Sequence, residues 1–258
     1  MRELEQPLKA WRSFRDVARA MRSLSAVQAM HWALQVARAE QHLRVCEREL
    51  SALGPGPREP IRARVVLAIG TDLGLCGPLN HRVAEACAGL AAPPTVLSVV
   101  VGSRLAALQP LPDAIELPAP SSFEAIELLA VEIEDAWLEL PEPRELAIVL
   151  AGEIAGDALP EVEVRRGRPP TPSDNAIVHV PLVPRASLLA RARALVRHAR
   201  LVAALARATL SENEARWRTM SRAHESANRR IDEQEAMLRR LAQEQITQEM
   251  LEARQGAR

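Results

Sequence analysis

The chain has 258 residues, enough for one large domain or two small ones. Its charges cancel, 33 Lys and Arg against 33 Asp and Glu, which excludes a strongly basic nucleic-acid binder and an acidic disordered tail. Four Trp, two Phe and no Tyr leave little material for base-stacking or carbohydrate platforms.

Proline maps the elements. All but one of the 19 prolines lie between Pro55 and Pro184, the exception being Pro7. Proline is about 3 kcal/mol unfavourable inside a helix, so two proline-free ends flank a mixed middle. From Trp11 to Leu53 the sequence is rich in Ala, Arg, Leu and Met, and Gly54-Pro55-Gly56-Pro57 stops it. At ~1.5 Å per residue this predicts a rod of roughly 60 Å.

The middle alternates strand and helix patterns, which argues for a largely parallel sheet. Arg64–Ile69 is a short apolar strand, followed by a glycine-punctuated loop and a helix at Asn80–Leu90. Thr95–Val101 is a second strand, Ser103–Leu108 a short helix and Ile115–Leu117 a third strand. Phe123–Leu138 has helical periodicity, and its acidic run Glu132, Glu134, Asp135, Glu139 reads as a solvated side. Leu146–Leu150, Val162–Val164 and Ile177–Val180 complete the strands.

Between Ala186 and Ala253 there is neither proline nor glycine. This allows a helix of about 100 Å, with Arg197–His198 the place for any break. Leu210, Asn213, Trp217, Met220, His224, Ala227, Ile231, Gln234, Leu238 and Leu241 step 3-4 throughout, the spacing of a coiled-coil seam. In the first helix Phe14, Val17, Met21 and Leu24 keep this step, drifting on through Val27, Met30, Leu34 and Ala37. The pattern predicts an intramolecular antiparallel coiled coil, with roughly the last third of the longer C-terminal helix projecting unpaired. The domains are thus residues 1–53, a central Rossmann-like α/β domain at 54–185, and residues 186–258.

Charge follows that division. Residues 1–53 hold nine basic and six acidic groups, 186–258 fourteen and nine, and 54–185 ten and eighteen. The helical ends therefore sum to +8 and the middle to −8.

Chemistry-bearing motifs are few. The loop Gly70-Thr-Asp-Leu-Gly74-Leu-Cys-Gly77 lies between a strand and a helix, where phosphate-binding loops lie. Its glycines are not spaced GxGxxG, no lysine makes it a P-loop, and no acidic residue ends the second strand for a ribose. A structural turn is the better reading, with Gly74, Cys76, Gly77 and Asn80 its defining residues. Cys46, Cys76 and Cys87 lack CxxC spacing and the six histidines lack metal-ligand spacing, so no catalytic, cofactor or metal site is indicated. Reduced thiols in a cytosolic compartment are expected. No apolar run approaches the ~18 residues of a membrane span, and the N-terminus lacks a signal peptide's apolar stretch. The alternative to a mechanical part is a coiled-coil adaptor whose α/β domain binds a nucleotide or phosphate; an enzyme using Cys76 ranks last.

Three stretches resemble the gamma subunit of F-type ATP synthases. Ile246-Thr-Gln-Glu-Met-Leu-Glu252, followed by Gly256-Ala257, is similar to that family's C-terminal ITxExxE…GA. Ser211-Glu-Asn-Glu-Ala-Arg216 with Met220 and Ala227 resembles SExxAR…M…NA, and Thr71-Asp-Leu-Gly-Leu-Cys-Gly-Pro-Leu-Asn80 resembles SDRGLCGGxN. Gln28, Ala33 and Leu34 match the first helix more loosely. The resemblance implies a non-catalytic rotor shaft turning inside a ring of alpha and beta catalytic subunits. It implies an α/β foot near the epsilon subunit and the membrane c-ring, on the cytoplasmic face of a bacterial inner membrane. No cofactor and no nucleic acid are implied, and the membrane is reached only through the complex. It places Arg216, Gln243, Thr247, Glu249, Gln28 and Leu34 against the alpha/beta ring. Ala242, Leu73 and Pro78 depart from the family pattern, where an arginine, a basic residue and a glycine are usual, which points to a divergent bacterial member.

Overall fold

The computed structural model describes residues 2–54, 63–90, 95–108, 114–139, 144–152, 161–166 and 184–256. Its elements are α1 (Arg2–Ala52), β1 (Ala63–Ile69), α2 (Leu79–Ala88), β2 (Thr95–Val101), α3 (Ser103–Leu108), β3 (Ile115–Leu117), α4 (Phe123–Leu138), β4 (Arg144–Ala151), β5 (Val162–Arg166) and α5 (Arg185–Gly256). The predicted strand at Ile177–Val180 lies outside the described residues. The chain forms two compact units, residues 26–215 and residues 1–25 with 216–258.

In the larger unit the sheet runs β3-β2-β1-β4-β5. β1 pairs parallel with β2 and with β4, and β2 pairs parallel with β3. β5 is antiparallel to β4, so the parallel pattern stops at that edge. Strand side chains alternate between faces. Val65, Leu67 and Ile69 of β1, with Val99, Val101, Ile148 and Leu150, pack under Ile126, Leu129, Ile133 and Trp137 of α4 and under α1 and α5. Val66, Ala68, Val100 and Val149 face the other way, onto Val83 and Cys87 of α2 and Leu105 of α3. Both faces of the central strands are covered, which is why they read as continuous apolar runs.

α5 is unbroken at Arg197–His198, and both side chains are bonded to Glu134 of α4. Six consecutive residues, Leu201 to Ala206, are buried, as expected of a helix enclosed on every side. Small Ala203, Ala204 and Ala206 allow its neighbours to come close. α1 meets α5 through Trp32, Val36, Ala39 and Leu50, with Ala29, Leu43 and Cys46 partly buried in the same 3-4 progression. Glu40–Arg207 at 2.9 Å and Glu47–Arg200 at 2.7 Å advance seven residues in opposite directions, so the pair is antiparallel.

In the smaller unit α1 packs through Leu8, Trp11, Arg15, Ala18, Arg22 and Ser25. α5 answers with Met220, His224, Ala227, Ile231 and Gln234. Arg12 pairs with Glu235 at 2.7 Å, and Arg22 acts on His224, which again makes the helices antiparallel. The predicted seam of α1 is corrected here. Phe14, Val17 and Leu24 are 45%, 60% and 52% exposed, because the coil uses the neighbouring stripe, in which Leu8 and Trp11 stand with small residues and arginine stems. Trp217 likewise turns out of the α5 seam, at 41% exposed. Partly buried side chains continue to Ala242 and exposure is uniform from Gln243 to Gln255, a shorter free tip than one third of α5. The reason is that α1 begins at Arg2 rather than Trp11, with Pro7 accommodated near its start.

Candidate functional site

A sheet of this winding holds ligands beyond the carboxyl ends of its strands, where the strand order reverses. Here that point lies between β1 and β4. The loop after β1 has spent its own polar groups. Thr71 donates its backbone N–H to Asn80 Oδ1 at 3.1 Å, and Asn80 Nδ2 donates to Thr71 Oγ1 at 2.9 Å. Thr71 Oγ1 donates in turn to the Leu73 carbonyl. Asp72 accepts from the Ser103 N–H at 2.7 Å and from the Ala119 N–H at 2.9 Å. Its carboxylate therefore sits at the start of α3 and ties three loops together. Sequence reasoning missed this role of Asp72, because its two donors lie 31 and 47 positions along the chain.

The glycines serve the same turn. Gly102 has φ +100° and a Cβ there would lie 2.5 Å from Thr71 N, so no other residue fits. Gly77 takes φ +60° beside Leu75 at φ 70°, whereas a Cβ at Gly74 would meet only the end of the Arg104 side chain, at 4.0 Å. Cys76 is buried, its thiol facing the Gly74 carbonyl at 3.4 Å. At the end of β4, Ser211 Oγ donates to the Gly152 carbonyl at 2.9 Å. α5 thus occupies the edge of the crevice with its own side chain. Burial pushes the Cys87 thiol up to about 12, so it stays protonated and inert. Among the described residues no group of His, Cys, Asp or Glu is placed to hold a metal.

The residues assigned to partner contact fall in both units. Gln28 and Leu34 are exposed on α1 in the larger unit, Leu34 at 63%. Gln243, Thr247 and Glu249 are exposed on the free tip of α5. Thr247 Oγ1 donates to the Gln243 carbonyl at 2.8 Å, and Gln245 donates to Glu249 at 3.0 Å. The structure brings Gln243 and Thr247 onto one helix face. Glu249 is two residues beyond Thr247, about 200° around the helix. Arg216 differs from the others, being 4% exposed within its own chain.

Exposed apolar residues, of which only Leu34 belongs to that set, are the larger surface feature. In the smaller unit Phe14, Val17 and Leu24 on α1 and Ile246, Met250 and Leu251 on α5 are exposed. In the larger unit Val27, Met30 and Leu34 are 65%, 73% and 63% exposed. Large side chains recurring at helical spacing on an open face form the kind of exposed apolar surface that interaction sites present.

These features define a class: in the larger unit, two long helices packed on an α/β sheet, with Ser211 of α5 bonded at the end of β4 where the strand order reverses. The ATP synthase family model matches residues 1–258, and the chain belongs to this family, as a gamma-type, central-stalk rotor subunit. It is not itself the catalytic subunit. The fold is similar to the rotor of the Euglena gracilis mitochondrial ATP synthase in rotational state 1. That match has a TM-score of 0.65 at 15% identity, covering 95% of this chain and 98% of that one. A second Euglena gracilis structure, of the OSCP/F1/c-ring portion in rotational state 3, matches at a TM-score of 0.68 and 15% identity, over 97% and 91% of the two chains. The central stalk and c-ring of the Tetrahymena thermophila enzyme matches at 0.57 and 15% identity, over 80% and 99%. No curated protein matches the chain by sequence. No described helix is long and apolar enough to cross a membrane.

Proposed function

We propose that the chain turns inside a ring of alpha and beta catalytic subunits and couples ion-driven rotation of a membrane c-ring to ATP synthesis or hydrolysis. Its domains in this reading are residues 1–53 and 186–258 as the shaft and 54–185 as the foot, which meets the epsilon subunit and the c-ring. The complex would stand on the cytoplasmic face of a bacterial inner membrane.

The observation that carries this reading is the row of large apolar side chains that α1 leaves uncovered, Val27, Met30 and Leu34 among them. A partner wall around the shaft would cover them. The tip supports the same geometry: Thr247 and Glu249 point to different sides of one helix, so only an enclosing partner meets both. Gln28, Leu34, Gln243, Thr247 and Glu249 are accessible as they stand. Arg216 is buried, and in this reading it holds α5 beneath the contact surface. An asymmetric shaft cannot present the same face to every catalytic site at once, so it biases each toward a different state.

The experiment replaces Met30 and Leu34 with Asp. Both are exposed, so unfolding should shift little, by about 0.5 kcal/mol or less. Association with the alpha/beta ring should weaken at least about ten-fold, since two charges would be buried in an apolar contact. Unchanged assembly and unchanged coupling of hydrolysis to rotation would remove the assignment.

A further inference from the structure

α4 is joined to α5 through one imidazole and two carboxylates. His198 Nδ1 lies 2.9 Å from Glu134 Oε2, and its Nε2 lies 3.1 Å from Glu127 Oε2. Glu127 and Glu134 are seven residues apart, two turns along one face of α4, so the ring from α5 fits between them. A carboxylate only accepts, and a neutral imidazole has one N–H to give. Both contacts are hydrogen bonds only when the ring carries two protons.

We propose that His198 is a proton-operated latch between α4 and α5, gripping both carboxylates when doubly protonated and releasing one when it loses a proton. The proton that leaves to solvent is the one facing Glu127, whose contact is longer and whose side chain is 46% exposed against 17% for Glu134. The freed ring nitrogen then opposes the Glu127 carboxylate with a lone pair.

The charged surroundings favour the gripped form. From α4 the groups acting on the ring are Glu127 and Glu134. On α5 itself, Arg197 donates to Glu134 Oε1 at 3.2 Å and lies 5.5 Å over the Trp137 ring. On α1, Glu47 is taken up by Arg200. Burial works against the charged imidazole, but the hydrogen bonds and charges of Glu134 and Glu127 outweigh it and raise the pKa above its ordinary 6.5. A raised histidine contributes fully below 6.5, and its contribution is lost as pH climbs through the folded value. The latch therefore opens on the alkaline side of neutral. α4 covers one face of the sheet, so the latch sets how firmly the α/β layer holds α5 in that range.

The test uses the full chain. The ring nitrogens of His198 are titrated by NMR, and amide exchange of residues 123–138 is followed from pH 6 to 9, corrected for intrinsic base catalysis. The wild type should show α4 opening rise about five-fold with the midpoint of the His198 titration. His198→Gln, which cannot change charge, should abolish that rise. Glu127→Gln keeps the ring and should move its midpoint toward 6.5, a readout that holds even where His198→Gln folds poorly. A His198 midpoint unmoved by Glu127→Gln, or an α4 profile independent of the His198 titration, would overturn the latch.

Discussion

Ser211 on α5 donates its hydroxyl to the carbonyl of Gly152 at the end of β4, at 2.9 Å. The contact stands where the strand order reverses, the place at which sheets of this kind usually keep a ligand. A side chain of the long helix α5 reaches that place and ties it to the end of β4. Ser211→Ala leaves a buried carbonyl without its donor and should lower unfolding stability by about 1–2 kcal/mol in a urea titration. An unchanged midpoint would mean that the hydroxyl serves only its second neighbour, the Arg207 carbonyl at 3.0 Å.

Asp72 should matter more than its exposed loop suggests. Asp72→Asn removes the charge from two backbone donors and leaves one of them facing an amide nitrogen or a single oxygen. A loss of about 2 kcal/mol is expected by chemical denaturation. Asp72→Glu should not restore it, because the longer side chain cannot meet Ser103 N and Ala119 N together. Equal stability of all three proteins would show that the loop is held by the Thr71–Asn80 pair alone.

Gly102→Ala should be the most damaging single methyl in the α/β layer. The backbone is at φ +100° and the added carbon meets Thr71 backbone atoms that cannot rotate away. A destabilisation of about 3 kcal/mol or more follows. By contrast Gly74→Ala meets only the end of the flexible Arg104 side chain, at 4.0 Å, and should change little. Comparable melting temperatures for the two variants would contradict the geometry of the turn.

A second histidine gives a pH effect of opposite sign. His224 in the smaller unit loses basicity through burial and through the charges of Arg22, Arg19 and Arg15 on α1. Its folded pKa lies below 6.5, so the unfolded chain binds the extra proton first and stability falls as pH drops below 6.5. The helix pair of that unit should therefore melt earlier at pH 5 than at pH 7.5, and His224→Gln should remove the difference. Circular dichroism at the two pH values checks it; a variant with the same acid sensitivity as the wild type would assign the effect elsewhere.

Much of the architecture is legible in proline placement and periodicity alone. Gly54-Pro55 ends α1 within two residues of where the structure ends it, and Thr95–Val101 and Phe123–Leu138 coincide with β2 and α4. What periodicity cannot decide is which of two stripes on one helix faces the partner helix. Phe14, Val17 and Leu24 are the greasier set, yet the coil closes on Leu8, Ala18 and Ser25. Small Ala18 and Ser25 let two backbones approach, and the bulkier row stays exposed. The antiparallel turn of β5 was hidden for a different reason: five residues at a sheet edge carry no pattern that fixes strand direction. The tie made by Asp72 joins residues 31 and 47 positions away, a distance over which local spacing says nothing.

Enclosure of the two long helices by a catalytic ring is measured most directly by stoichiometry in the purified complex. The chain, expressed with the alpha and beta subunits of its own enzyme, is predicted to co-purify at one copy per three alpha/beta pairs and to make ATP hydrolysis by that ring drive rotation of a probe fixed to residues 54–185. A chain that remains a solitary, stable monomer in the presence of those subunits would contradict it.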